Sequence, residues 1–292
     1  MTKKMGVGKA HGKIILMGEH SVVYGYPAIA IPLKTIEVEC HIRPADQRIT
    51  FDFEDTLSTA IYAALKELGK TAATITYDIK SEVPLQRGMG SSAAVSIAAI
   101  RAVFDYFEQP LDKETLEILV NQAEIIAHTN PSGLDAKTCL SDQAIKFIRN
   151  IGFEQLDLSL NAYLIIADTG VHGNTREAVD KVAAAEEANL PYLAQLGLLA
   201  DQVEQAIKDK DLLSVGQAMT AAHAMLQKIG VSVEESDHLV QVALEAGALG
   251  AKMSGGGLGG CIIALAQNQE QAQIISGKLE EEGASQTWIQ KL

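Results

Sequence analysis

Between residues 88 and 94 the chain reads Gly88-Met89-Gly90-Ser91-Ser92-Ala93-Ala94. Two glycines and two serines end a loop, and the small, apolar run from Ala93 to Val103 predicts a helix that starts there. The first N–H groups of a helix have no intrahelical partner and point outward, and the helix dipole adds partial positive charge, so such a junction suits an anion. Two hydroxyls at the same place suit a metal or further phosphate oxygens. A Walker loop carries lysine just before its hydroxyl residue, whereas here Gly90 holds that position. Gly88, Gly90 and Ala93 also fit the dinucleotide pattern G-x-G-x-x-A, which should follow a continuously apolar strand. The preceding segment alternates instead, with Ile75, Tyr77 and Ile79 against Thr76, Asp78 and Lys80, and predicts a half-exposed antiparallel strand before Pro84. Gly90-Ser91-Ser92-Ala93-Ala94 comes near the hydrolase nucleophile elbow, but alanine stands where that motif ends in glycine. On this segment alone, a plain helix cap without a ligand stays open.

The 292 residues, 47% of them hydrophobic, suffice for one large or two medium domains. A net charge of −13 argues against a general binder of nucleic acid or of anionic membranes. A phosphate site here must therefore rely on local donors. Cys40, Cys139 and Cys261 are far apart, form no metal-like pair and predict no disulfide framework, as in a reducing cytoplasm. The histidines show no H-E-x-x-H spacing. No apolar run reaches the roughly 18 residues of a membrane span, and the N-terminus predicts no secretory signal.

In the first half, Lys13 to Met17 and the alternating Thr35 to Arg43 read as strands, with Ile49 to Phe53 a further short one. Thr56 to Leu68 predicts a helix ended by Gly69, Ser91 to Phe107 a second, and Lys113 to Ala127 a third capped by Asp112. Ala162 to Ala167 reads as an apolar strand. Helical periodicity then dominates over Thr175 to Ala188, Leu193 to Lys208, Leu212 to Gln227 and Glu234 to Ala246, punctuated by Pro191, Gly230 and Gly247. Two strands flank a glycine run near residue 256, and a helix over Gln269 to Glu282 leads to a strand at Gln286 to Gln290. The shift in composition near residue 170 predicts domains over 1–170 and 171–292.

Three further segments carry chemistry. In the first, Lys13 opens a strand, and Glu19 and His20 lie just past its end within Gly18-Glu19-His20-Ser21-Val22-Val23-Tyr24-Gly25. In the second, Glu124 precedes His128-Thr129-Asn130-Pro131-Ser132-Gly133-Leu134-Asp135, whose proline-glycine turn holds a carboxylate in place. One carboxylate there suits Mg²⁺ and the other a proton; a solvated helix end and an N-cap are the plain alternatives. The third is Ser254-Gly255-Gly256-Gly257-Leu258-Gly259-Gly260, set between apolar segments as expected where backbone must approach a ligand closely.

Taken together, these segments resemble the GHMP kinases, the family named for galacto-, homoserine, mevalonate and phosphomevalonate kinases. The Lys13 to Gly25 segment, the Pro84 to Ala94 loop and the Lys252 to Gly260 run appear in the family's order and span nearly the whole chain. Gly18-Glu19-His20 with Val22 to Gly25, Glu124 with His128 to Asp135, and Asn174-Thr175-Arg176 are most similar to the members that phosphorylate mevalonate. His11 replaces a common proline, Thr129 a common glycine, and Leu258 interrupts the usual glycines.

The resemblance implies a two-domain α/β (α+β) GHMP kinase fold, with an N-terminal ribosomal-protein-S5-like domain and a C-terminal ferredoxin-like domain. It implies phosphoryl transfer from ATP to the primary hydroxyl of mevalonate in a route to isoprenoids. Asp135 would act as base or orienter, with Lys13 beside it. Glu19, His20 and Thr175 would meet the substrate's hydroxyls, with Lys146 a candidate for its carboxylate. Pro84, Gly88, Met89, Gly90, Ser91, Ser92, Ala93, Ala94, Gly255, Gly256 and Gly257 would bind ATP, and Ser92 and Glu124 would hold Mg²⁺. A homodimer and feedback inhibition by a downstream isoprenoid intermediate are further expectations, with no nucleic-acid or membrane partner.

Overall fold

A computed structural model describes residues 5–127 and 133–292. The chain forms two compact units, each assembled from separate stretches. One takes the described residues of Met1–Lys13, Pro32–Leu85 and Gly90–Asp142; the other takes Ile14–Ile31, Gln86–Met89 and Gln143–Leu292.

Strands β1 (Gly6–Met17) and β2 (Ala28–Pro44) contribute to both units and are neighbours in one sheet. In the first unit, β3 (Ile75–Ser81) pairs antiparallel with the later part of β2, from Val38 opposite Ser81 to Pro44 opposite Ile75. Ile36, Val38, Cys40 and Ile42 turn inward, as the alternation requires. Three helices pack together there: α1 (Thr56–Glu67), α2 (Ser91–Tyr106) and α3 (Lys113–Ala127). Asp55 caps α1 by accepting from the Ser58 N–H, and Asp112 accepts from the Thr115 N–H at the start of α3. A short α4 (Leu134–Cys139) follows, with Gly133 at its N-cap. Glycine lets α2 lie directly on β1: a Cβ on Gly8 would sit 2.1 Å from the Ala98 carbonyl oxygen.

The second unit holds a short 3-10 helix (Ser21–Tyr24), and β4 (Ala144–Ile148) paired with the start of β2 and with β5 (Gly152–Leu156). It also contains a four-stranded antiparallel sheet in the order β7 (Gly250–Ser254), β8 (Cys261–Ala266), β6 (Tyr163–Asp168), β9 (Gln286–Lys291). Helices α5 (Thr175–Ala184), α6 (Glu186–Lys208), α7 (Leu212–Lys228), α8 (Glu234–Glu245) and α9 (Gln269–Glu281) complete it. Helices α8 and α9 cover one face of this sheet, burying Ile165, Ile262 and Ala264 of the strands under Leu239, Val240, Ile275 and Leu279. Each such aliphatic side chain contributes about 1.5–3 kcal/mol on removal from water.

Three expectations need correction. Residues 49–53 form no strand; Phe51 and Phe53 instead pack their rings on Tyr62 of α1, with centroids 5.2 and 5.1 Å away. The first late helix stops at Ala184 rather than Ala188, because Ala185 leaves helical geometry and Asn189 donates its side-chain amide to the Val182 carbonyl. Pro191 does not separate helices but lies inside α6, early enough that only the bond to the Glu187 carbonyl is lost. No helix among the described residues is long and apolar enough to cross a membrane.

Candidate active site

In the first unit the candidate groups gather at the start of α2. Gly90, at φ +72°, is its N-cap, and the Ala94 N–H closes the first helical bond onto the Gly90 carbonyl at 2.9 Å. Ala94 therefore spends its N–H inside the helix, and the donors that face outward belong to earlier positions. Two constraints oppose an L-residue at Gly90. Its backbone is left-handed, and a Cβ would sit 2.8 Å from Lys13 Cγ and 3.2 Å from Cys139 Sγ. Lys13, with a side chain 2% exposed, thus runs across the mouth of the helix and places Nζ 3.0 Å from Asp135 Oδ1. Asp135 stands in the first turn of α4 and is 41% exposed, so this pair joins a buried cation to a carboxylate that solvent reaches. Cys139 beside them is held in the thiol form, since burial pushes its pKa up.

In the first turn of α2, Ser92 Oγ donates to Glu124 Oε1 at 2.9 Å. Glu124 comes from α3 and is buried. A hydroxyl and a carboxylate form a hard, all-oxygen donor set, and Mg²⁺ is commonly held by one or two such protein ligands plus substrate phosphates, so these residues fit that ion. The Ser91 hydroxyl is buried and has no hydrogen-bond partner among the described residues. Ala93 is buried, and Met89, counted with the second unit, is fully buried. Pro84 lies in the irregular segment between β3 and α2. His128, Thr129, Asn130, Pro131 and Ser132, which carried part of the sequence resemblance, lie outside the described residues.

A second cluster forms within the second unit. Just past the end of β1 stand Gly18 at φ +97° and His20 at φ +61°, ψ −45°, while the Ser21 N–H reaches back to the Glu19 carbonyl at 2.7 Å. That is a γ-turn of the positive-φ kind, a strained conformation for a residue with a side chain. His20 Nε2 lies 2.8 Å from the Gly256 carbonyl oxygen. Burial lowers the His20 pKa to about 4, so the ring is neutral near pH 7. A neutral ring facing a carbonyl must donate to it, which puts the proton on Nε2 and leaves Nδ1 an acceptor. Thr175, the first residue of α5 after its cap Asn174, packs on the same glycine: a Cβ on Gly256 would lie 2.4 Å from Thr175 Oγ1. Glu19 is completely buried and forms an ion pair with Lys252 of β7, whose Nζ also donates to the Met253 carbonyl at 2.7 Å.

The glycine loop between β7 and β8 uses its freedom largely against protein. Gly255 and Gly257 are left-handed, at φ +91° and +90°. A Cβ on Gly255 would sit 2.8 Å from Gly88 Cα, so this loop and the phosphate-loop segment touch backbone to backbone. Gly257 accepts from the Asn174 N–H at 3.2 Å. Leu258 adopts φ +55°, a left-handed conformation that favours glycine, and is held there by donating its N–H to the Val231 carbonyl. Arg87 of the phosphate-loop segment forks onto Asp168 at the end of β6, with Nε 2.7 Å from one carboxylate oxygen and 2.8 Å from the other.

The structure thus brings Lys13, Asp135, Ser92 and Glu124 to one place in the first unit, and Glu19, His20, Thr175 and Gly256 to one place in the second. Lys146 stands apart: its Nζ is 2.5 Å from Glu204 and 3.2 Å from Asp201 of α6. Sequence reasoning missed Lys252 and Arg87 as contributors. A lone lysine in an otherwise apolar strand just before a glycine run was the signal for the first.

Two family profiles match the sequence, the GHMP kinases N terminal domain over residues 55–143 and the GHMP kinases C terminal over residues 203–285. A mevalonate kinase of Pyrococcus horikoshii is 32% identical, over 94% of this chain and 93% of the relative. Among solved structures, L. major mevalonate kinase in complex with R-mevalonate superposes with TM-score 0.86 at 26% identity, covering 99% of this chain and 98% of that one. The mevalonate kinase of methicillin-resistant Staphylococcus aureus gives 0.78 at 30% identity, covering 99% of both chains.

Proposed function

This chain belongs to the GHMP kinase family, and from that premise we propose that it transfers the γ-phosphoryl group of ATP to the primary hydroxyl of mevalonate, giving 5-phosphomevalonate and ADP. Its near full-length likeness to mevalonate kinases supports that choice of acceptor. The observation that carries the chemistry is the Lys13–Asp135 pair lying across Gly90 at the start of α2.

In this reading Asp135 Oδ accepts the proton of the attacking hydroxyl as its oxygen bonds to the γ-phosphorus. The bond from that phosphorus to the β,γ-bridging oxygen breaks, and its electron pair leaves with ADP. Lys13 orients Asp135 through their 3.0 Å ion pair and adds positive charge beside the migrating phosphoryl group, whose transition state is stabilised chiefly by positioning and charge. Outward N–H groups at Gly88 to Ser92 take phosphate oxygens. Ser92 and Glu124 would hold Mg²⁺, which supplies charge neutralisation of the β- and γ-phosphates when bound. Glu19, His20 Nδ1 and Thr175 meet the acceptor's hydroxyls. Lys146 is the weakest assignment, since two carboxylates already engage it.

The proposal includes domains over 1–170 and 171–292, a homodimer, a cytoplasmic location, and inhibition by a downstream isoprenoid intermediate. Sedimentation showing only monomer would remove the dimer, and a titration without effect by any prenyl diphosphate or phosphorylated mevalonate would remove the inhibition. The deciding experiment is ADP release from Mg-ATP with mevalonate, phosphomevalonate, galactose and homoserine offered separately. Turnover with mevalonate alone is expected; turnover with another of them overturns the choice of acceptor.

A further inference from the structure

Glu19 and Lys252 are both completely buried and joined as an ion pair, although they are 233 residues apart in the chain. Burying two charges costs several kcal/mol per ion, and a well-packed apolar pair in their place is often as stable or more so. Stability is therefore a poor reason for this pair. Its position suggests another: Glu19 precedes His20 in the strained turn, and Lys252 lies two residues before Ser254, which clamps β1 through both groups of Ile15.

We propose that Lys252 is a positioning residue: it keeps Glu19 ionised and aimed, so that the buried carboxylate accepts a hydrogen bond from a hydroxyl of the acceptor alcohol. This rests on the reading of the chain as a mevalonate kinase. A carboxyl buried without a cation would take up a proton and become a donor on one oxygen, which opposes a hydroxyl donor. With Lys252 on Oε1, the group remains an acceptor on both oxygens. Lys252 is itself steered, because its Nζ donates to the Met253 carbonyl and the Met253 N–H donates to His223 Nδ1 of α7 at 3.3 Å. Among the described residues, the other titratable groups around it are His223 and, from α8, Asp237, whose Oδ1 lies 3.1 Å from His223 Nε2 in poor alignment for a hydrogen bond. Burial pulls the Lys252 ammonium below its ordinary value while Glu19 opposes the shift, and burial holds His223 at about 4. Near pH 7 His223 is thus neutral, and the group that touches Glu19 is Lys252.

The test is steady-state kinetics of full-length Lys252→Met, Lys252→Arg and the swap Glu19→Lys/Lys252→Glu, with both substrates varied from pH 6 to 9 and thermal melting alongside. A hydrogen bond to a charged group corresponds to roughly 10- to 100-fold in affinity. Lys252→Met should raise KM for mevalonate by about that factor, leave KM for ATP within about twofold, and recover as pH rises and Glu19 ionises unaided. Lys252→Arg should recover part of the loss. The swap keeps a buried pair of opposite charges, so it should melt near wild type yet bind mevalonate poorly. Unchanged mevalonate KM in Lys252→Met overturns the inference, as does a parallel rise in both KM values without recovery at high pH. Should Lys252→Met fail to fold, the swap decides: a folded swap with normal mevalonate KM overturns it. The wild type in the same assay separates the two levels, since failure to use mevalonate defeats the kinase reading itself, whereas a normal wild type with an indifferent Lys252→Met defeats only the role of Lys252.

Discussion

Replacing Asp135 by asparagine keeps the shape of the side chain and removes its charge and its basicity. If the amide oxygen turns to Lys13 Nζ, now 3.0 Å from the carboxylate, the amide NH₂ faces the acceptor hydroxyl, and a donor meets a donor. The proton then has no place to go. A positioned general base contributes about 10²- to 10⁴-fold, which is roughly 2.7 to 5.4 kcal/mol of barrier. The variant also loses an ion pair. At that separation the attraction is about 1.4 kcal/mol in a water-like medium and about 5.5 kcal/mol at an effective dielectric of 20. Asp135 is 41% exposed, so the wetter limit governs, and a stability loss of about 1 kcal/mol is expected, a shift of a few degrees in melting temperature. Two assays separate these effects: coupled ADP release with saturating Mg-ATP and mevalonate, and thermal melting by circular dichroism. The expected result is a kcat lower by at least about 100-fold in a protein that melts only a few degrees early. A folded Asp135→Asn variant with kcat within about threefold of wild type would falsify the base assignment. An activity loss that merely tracks the folded fraction would make Asp135 a structural residue.

Three further outcomes follow from the same geometry. Ser92→Ala removes the hydroxyl that meets Glu124, so the Mg²⁺ concentration for half-maximal turnover should rise by roughly tenfold or more; an unchanged Mg²⁺ titration counts against the metal assignment. Gly90→Ala forces a Cβ against Lys13 at a left-handed position and should cost about 1–3 kcal/mol in chemical denaturation while lowering turnover; a melt indistinguishable from wild type refutes the packing described. His20 and His223 are both lowered to about 4 by burial, so between that value and 6.5 the unfolded chain binds more protons than the folded one. Their contribution to stability is therefore present above pH 6.5 and lost as pH falls toward 4. Urea midpoints at pH 7 and 5 should differ in that direction, and His223→Gln should flatten the slope.

Much of this was legible in the sequence, for identifiable reasons. Asp112 announced the start of α3, Gly69 the end of α1, and alternation over Ile75 to Lys80 an antiparallel strand. Strands β4 and β5 and the six-residue α4 were not read, being too short to show a period beside turns. The aromatic residues at 51 and 53 imitate a strand, yet their rings find Tyr62 instead of a partner backbone. At the site, motif residues were readable one by one, because phosphate loops and carboxylates require particular residue types. Their partners were not. Nothing local ties Glu19 to Lys252 or His20 to Gly256, and the need for glycine at 255 and 256 comes from Gly88 and Thr175 rather than from a ligand alone.

The clamp on the end of β1 bears on how the protein is made. Ser254 Oγ donates to the Ile15 carbonyl and accepts from the Ile15 N–H, across 239 residues of sequence. Gly256 secures His20 and Lys252 secures Glu19 across nearly the same span. Contacts of such long range close late in folding, because the entropy of a large loop is lost before they form. During synthesis the ribosome delivers Glu19 and His20 233 and 236 residues before their anchors. The motif that carries them therefore waits for its final geometry while all of that chain is made, and a nascent chain halted before β7 carries the acceptor-binding residues without the strand that shapes them.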